Sequence, residues 1–514
     1  MSFFKSIFGK IRFNSIYSLL ILFFASRFIN LTLLPIFNDE AIYLDWGWRE
    51  THAPGMLYYS LYDGKQPFLM WIFGISQSIF SDPLFAGRLI SVLTGAATMW
   101  IIYLLAKSLF DKKIAIISAI LYVFVPIFVF YDRQALMESA ISLVGVLSCY
   151  FSIKLWTENK HRNAYYLGLI LGLGFFVKSS TLVFAGVFLI INLILFLRSK
   201  QKKENITATG IAIAVAGIVN FFLLINPDFW ATFKRNSQYS LTFSELIHFP
   251  LLTIINNAIR NLGIGFYYLT PLVFVAAIVG IILIFRKKKR VNLIFCFCVL
   301  LSLVLQTIVI RQTSQRYLVS FLPLLVIPAA YLFENVIRRK KVIGLIFVSV
   351  SLLVPIIFTS LQLFLPSSYL ISMSKINKFS DDAYLKTFTS GYGIIDVKNY
   401  LESVSVNKKI WVGFALNTGN PESALLVYFY KSNHISTTYF DSQLFSGDLS
   451  KIDCLKTPVK LYFVSREDQQ AGLNKFFQKI KTFQNPYSNY SIGIYELKSQ
   501  CVGKTVEINP FAAL

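Results

Sequence analysis

Two carboxylates stand side by side as Asp39-Glu40, directly after the first apolar run, and a third, Glu138, follows Arg133 at the start of another. Lys65 and Lys178 fall at turns on the same expected side of the apolar runs. Acids held beside cations at a bilayer surface suit chemistry on a lipid-linked phosphate. Preorganised cations stabilise the charge that develops on the phosphate, and a carboxylate takes the proton of an attacking hydroxyl. Asp39 is the candidate base. Glu40 would orient Asp39 or the acceptor, and Glu138 would either position its loop or share the base role. Lys65, Arg133 and Lys178 are the candidate phosphate-binding cations. Arg311 and Arg316 flank a later turn before Tyr317, where phosphate contact competes with plain surface charge.

Each of these residues also has a blander reading. A carboxylate at the end of an apolar span is often a solvated flank, and Glu138 could be an ion-pair partner of Arg133. Lys178 could be a lysine reaching toward the interface. Arg27 lies within the first apolar run and needs either a partner or a lipid headgroup. Neither His248 nor Glu245 is expected to ligate a metal, and the cysteines and histidines show no metal-binding spacing.

The elements that must position these groups are membrane helices. Of 514 residues, 55% are hydrophobic and 15% charged, with a mean hydropathy of +0.59. Soluble domains carry roughly 25% charged residues. The net charge of +23 would suggest nucleic acid in a soluble protein, but here the basic residues gather in short loops between apolar runs. Basic clusters around 5–12, 107–113, 154–162, 198–203, 286–290 and 338–341 all go to the cytoplasm by the positive-inside rule. About eleven spans of near ~20 residues follow: 14–34, 84–106, 114–130, 135–153, 163–177, 180–197, 207–225, 267–285, 291–310, 317–335 and 342–364. The first reads as an uncleaved signal anchor. The expected protein is therefore mainly α, multi-pass in the cell membrane, with its N-terminus cytoplasmic.

Residues 1–364, with an outer loop at 35–83, form the expected transmembrane catalytic domain. An odd number of spans leaves 365–514 outside the cytoplasm. Strand-like runs at 409–414, 459–465 and 491–497 alternate there with helix-like runs at 422–430 and 468–481, which favours an extracytoplasmic α/β domain. From its position alone, this tail is a candidate for choosing the acceptor. Cys149, Cys296 and Cys298 lie in apolar spans, while Cys454 and Cys501 flank strand-like runs. If those strands pair antiparallel, the last two sulfurs could meet as a disulfide; free thiols are the alternative.

These motifs, in this order, resemble the bacterial GT-C fold membrane glycosyltransferases related to protein O-mannosyltransferases and to the lipid A aminoarabinose transferase. The resemblance rests on Asp39-Glu40 after the first span, Lys65-Gln66-Pro67 with Trp71, and Arg88-Leu89-Ile90-Ser91. It continues through Arg133 with Glu138, the stretch 172–178, and Arg316-Tyr317-Leu318 through Pro323. It covers roughly residues 15–335. Two departures stand out: Ile42 replaces an arginine typical of the aminoarabinose transferases, and Gly64 replaces a glutamate that can help hold a metal.

The resemblance implies transfer of a sugar from a polyprenyl-phosphate-linked donor to an acceptor hydroxyl at the outer membrane face, by a single inverting displacement. It implies Arg316 and Tyr317 among the phosphate-binding residues, and no nucleotide; with Gly64 in place of the glutamate, no metal is expected, nor any other cofactor. The expected partners are the lipid-linked donor, an acceptor protein, lipid or glycan, and membrane lipid, with no nucleic acid. One rival is a transporter or lipid flippase, although no internal repeat with broken helices is evident. A nearer rival is a glycan ligase or polymerase that takes a diphosphate-linked oligosaccharide.

Overall fold

The computed structural model describes residues 16–158, 161–198, 202–380, 382–406, 408–415, 419–440, 454–456, 459–467, 476–498 and 505–507. They form two compact units. The first gathers Met1–Leu31, Ala53–Ile72 and Arg88–Asp381; the second gathers Thr32–His52, Phe73–Gly87 and Asp382–Leu514. This differs from a division at residue 364. Segments 32–52 and 73–87 fold with the tail, because tail residues hold the helix Asn38–His52, and 365–381 stay with the helical unit.

The first unit is helical, and every one of the eleven expected segments meets a helix. By length and composition, four described helices could cross a membrane: Pro83–Leu109, Glu138–Glu158, Arg290–Val309 and Lys341–Phe364. The number rises to six if two bent pairs each count as one span. Helices such as Lys112–Phe124, with 13 residues, and His161–Val177, with 17, are shorter than the ~20 residues that the hydrocarbon requires. The count of eleven is therefore not reached by helix length. Large apolar side chains along these helices stay exposed, among them Ile21, Leu197, Ile213, Ile218 and Val342, as lipid-facing surfaces require.

Local chemistry sets where these helices start and break. Asp111 caps Lys112–Phe124, its carboxylate accepting from the Lys113 and Ile114 amides at 2.8 and 3.1 Å. That helix stops at Val125, and Pro126, which has no N–H to donate, opens the next, Pro126–Tyr131. The expected helix start near Gln134 is displaced: 132–137 are irregular, and Glu138 is the first residue of Glu138–Glu158. A helix absent from the sequence reading, Leu251–Tyr268, meets Pro271–Lys287 at 117°, with Thr270 at φ +69° in the bend. Helix Pro271–Lys287 packs on Val326–Arg339 so closely that a Cβ on Gly280 would lie 1.9 Å from the Pro328 carbonyl oxygen. Only glycine permits that approach.

The second unit is α/β. Its strands are β1 (Ile410–Ala415), β2 (Ile435–Phe440), β3 (Cys454–Lys456), β4 (Lys460–Arg466), β5 (Phe477–Gln484), β6 (Ser491–Leu497) and β7 (Thr505–Glu507). A five-stranded sheet runs β2-β1-β4-β6-β5, and β3 pairs with β7 separately. β1 is parallel to β2 and β4, while β6 is antiparallel to β4 and β5. Burial on both faces fits the apolar β1, an interior strand parallel to both neighbours. Trp411, Leu461, Phe463, Phe476, Phe477 and Tyr495 form a core beneath the sheet.

The helix expected over 468–481 is overturned at its described end, where Phe477–Gln484 is an edge strand with a bulge between Lys479 and Lys481. Apolar residues at 476, 477 and 480 mimic a helical stripe, but β6 supplies the backbone partners and overrides it. Residues 468–475 lie outside the described residues, as does Cys501, so the expected Cys454–Cys501 pairing falls outside them too.

Candidate active site

Within the helical unit, five expected residues and one unexpected one converge. Glu138 is fully buried at the start of its helix. Its Oε1 accepts from Lys178 Nζ at 2.9 Å and from Arg316 Nε at 2.8 Å. The partner weighed from the sequence, Arg133, is not the one these bonds record. Lys178 directly follows the helix His161–Val177, and its ammonium stands 5.6 Å from the Tyr317 ring centre. Tyr317 neighbours Tyr239, with ring centres 6.4 Å apart, and Lys65 Nζ lies 5.0 Å over the Tyr239 ring. The result is a row of alternating charge and aromatic faces: Lys65, Tyr239, Tyr317, Lys178, then Glu138 with Arg316.

The surrounding backbone fixes this row. Gln66 Nε2 donates to Ser179 Oγ at 2.8 Å, tying the Lys65 turn to the Lys178 turn, and Asn236 Nδ2 reaches the same hydroxyl at 3.3 Å. Tyr239 sits on a short backbone ladder, with Arg311 N donating to its carbonyl at 2.9 Å and Leu241 N donating to Val309 O at 2.8 Å. Arg311 itself pairs with Glu245, and its guanidinium donates to the Ser237 carbonyl. Tyr239 carries no sequence signal, because only the fold brings 239–241 beside 309–311. An apolar cavity of about 270 Å³ lies between helices 161–177, 181–198 and 202–219, lined by Phe175, Thr181, Phe188, Ala216 and Asn220 among others.

Arg133, expected beside a phosphate, is instead buried against the end of the first helix. Its guanidinium donates to the carbonyls of Arg27, Ile29 and Asn30 at 2.6, 2.8 and 2.8 Å. Helix Ile16–Phe28 leaves orphan carbonyls there, and a buried arginine satisfies them. Arg88 donates to Leu31 O at 2.8 Å in the same way. Arg27 finds its partner in Asp132 at 3.0 Å, and Asp132 also accepts from Ser139 at 2.9 Å and Tyr122 at 3.2 Å. Gly95 leaves room for that carboxylate, since a Cβ there would meet Asp132 Cγ at 2.5 Å.

The acid pair belongs to the second unit. Asp39 is half-buried in the first turn of helix Asn38–His52, and Asn38 Nδ2 donates to its Oδ1 at 3.3 Å. Glu40 is fully buried, and its Oε2 accepts from the Phe37 amide at 3.0 Å, half of a capping box. Further along, Asp45 accepts from Arg49 Nε at 2.7 Å, from Ser423 Oγ at 3.3 Å and from the Tyr430 hydroxyl. Burial, aided by the neighbouring Asp45 charge, pushes the Tyr430 hydroxyl well above its usual range, so Tyr430 stays a donor. Among the described residues, no group of three or more His, Cys, Asp or Glu converges in a way that could hold a metal.

The fold defines a class. It is similar to ArnT from Cupriavidus metallidurans in the apo state, with a TM-score of 0.60 at 12% identity over 93% of this chain and 96% of that one. The same protein bound to undecaprenyl phosphate matches at 0.58 and 14% identity, over 93% and 97%. A family model for dolichyl-phosphate-mannose-protein mannosyltransferase matches residues 64–223. The chain is therefore similar in fold to GT-C glycosyltransferases of the protein mannosyltransferase and ArnT type. Over 241 residues it is 28% identical to the undecaprenyl phosphate-alpha-4-amino-4-deoxy-L-arabinose arabinosyl transferase of Yersinia enterocolitica, covering 42% of each protein. The chain spans about two fifths of the length of the curated relatives it matches.

Proposed function

We propose that this protein transfers a sugar from a polyprenyl-phosphate-linked donor to an acceptor hydroxyl at the outer face of the membrane, inverting the anomeric centre. The row Lys65–Tyr239–Tyr317–Lys178 with Arg316, anchored on buried Glu138, carries this reading. Cations held in place before reaction stabilise developing phosphate charge without reorganising. Lys178 and Arg316 remain 24% and 20% exposed, so a headgroup can reach them. Lys178 commits one of its three N–H donors to Glu138. The apolar cavity between the neighbouring helices suits an isoprenoid tail.

In the reaction, the acceptor oxygen bonds to the anomeric carbon as the bond from that carbon to the phosphate oxygen breaks. Asp39 takes the acceptor proton, and polyprenyl phosphate leaves with the bonding pair. Glu40 holds the helix start that carries Asp39. Glu138 positions Lys178 and Arg316, while Arg133 shapes the end of the first helix and does not touch the phosphate. The N-terminus is cytoplasmic and the sheet-bearing unit extracytoplasmic in this reading. Pentose and hexose donors both fit it, as do protein, lipid and glycan acceptors.

The test uses purified protein, a radiolabelled polyprenyl-phosphate sugar and a hydroxyl acceptor. Transfer is expected, and Asp39→Asn should lower kcat by about 10²–10⁴-fold with donor KM unchanged, the usual range for losing a general base. Full activity in Asp39→Asn removes the base assignment. Movement of the lipid across vesicles without sugar transfer supports the transporter reading instead.

A further inference from the structure

Asn38 lies between the acid pair and the C-terminal segment, and its amide makes two directional bonds. Its Oδ1 accepts from the backbone N–H of Asn420 at 2.8 Å, and its Nδ2 donates to Asp39 Oδ1 at 3.3 Å. A backbone N–H can only donate, so it fixes which end of the Asn38 amide is oxygen and turns the NH₂ group toward Asp39. Asn38 is buried, which holds the amide in that orientation.

The segment that delivers the Asn420 N–H is itself held on several sides. Asn420 Nδ2 donates to the carbonyls of Ile36 and Thr389 at 3.1 and 3.2 Å. Gly419 has φ +104°, and a Cβ there would lie 2.1 Å from Asn38 Oδ1, so this approach needs glycine. Helix Glu422–Phe429 then continues from Pro421, and Ser423 and Tyr430 bond Asp45 further along the acid-bearing helix.

We propose that Asn38 is a positioning residue for Asp39, oriented in turn by the Gly419-Asn420 backbone, so that the C-terminal segment sets the aim of the catalytic carboxylate. This rests on Asp39 being the base. It gives the tail a part in turnover that is separate from choosing an acceptor. Asn38 donates to Asp39 without touching substrate, so its loss should reach kcat and leave donor binding alone.

The experiment measures kcat, donor KM and thermal stability of the full chain in detergent for Asn38→Asp, Asn38→Ala and Asp39→Asn, with polyprenyl-phosphate sugar as donor. Asn38→Asp keeps an acceptor for the Asn420 N–H, and so keeps the fold, but cannot donate to Asp39. It should lower kcat about 10–100-fold at unchanged donor KM, the scale of an ångström-level misplacement. Asn38→Ala should lose kcat at least as far and lose stability as well. Wild-type kcat in Asn38→Asp, with Asp39→Asn inactive, overturns the positioning role and leaves the base intact. Activity in Asp39→Asn overturns the base reading beneath it. A rise in donor KM that accounts for the whole loss also overturns the proposal.

Discussion

Replacing Glu138 by Gln keeps the volume of the side chain and removes one buried charge from between two cations. At 2.9 and 2.8 Å, each pair is worth about 6 kcal/mol of attraction at an effective dielectric constant of ~20, before desolvation is subtracted. Deleting one member of a buried pair costs about 3–5 kcal/mol net. Lys178 and Arg316 are 24% and 20% exposed, so water relieves part of that cost, and a loss of about 3 kcal/mol is expected. The two cations then lose the Glu138 charge, and an added phosphate replaces it. Polyprenyl phosphate should therefore raise the unfolding temperature of Glu138→Gln more than that of the wild type. Turnover should nonetheless fall about 10²-fold, because the cations are no longer held where charge develops. Thermal unfolding with and without polyprenyl phosphate, beside a turnover assay, measures all three effects. A Glu138→Gln protein as stable and as active as the wild type would refute the anchoring role.

Arg133→Met should strand the carbonyls of Arg27, Ile29 and Asn30 and cost about 3 kcal/mol or more, while the folded fraction keeps its donor KM. Raised donor KM at wild-type stability would return Arg133 to the phosphate. Gly95→Ala, which gains about 0.5–1 kcal/mol in an ordinary helix, should here destabilise by about 3 kcal/mol, since the new Cβ displaces Asp132 from Arg27. A stabilised Gly95→Ala protein would contradict the close approach.

Apolar runs and basic loops made the helices legible, because a span must satisfy its own backbone and shows it as an unbroken apolar sequence. Strands at 410–415, 460–466 and 491–497 were also readable from β-branched and aromatic runs. What escaped the sequence depends on distant partners. Phe477–Gln484 reads as a helix until β6 is beside it. Glu138 looks like a partner for Arg133, five residues before it, although the fold delivers Lys178 and Arg316 from 40 and 178 residues away. Arg133 looks like a phosphate ligand and serves as a cap, as Arg88 also does, a distinction that lies in which carbonyls the first helix leaves open. Tyr239 and the Asn38 amide owe their places to backbone groups of 309–311 and 419–420, and no side-chain pattern encodes those.

Anomeric configuration tests sugar transfer from a polyprenyl phosphate most directly. Purified protein is given a polyprenyl-phosphate sugar of known anomer with a hydroxyl acceptor, and the glycoside formed is read by NMR while released polyprenyl phosphate is quantified. One equivalent of polyprenyl phosphate per glycoside, with the opposite anomer in the product, is the expected result. Retention of configuration, or lipid phosphate released with no glycoside formed, would contradict it.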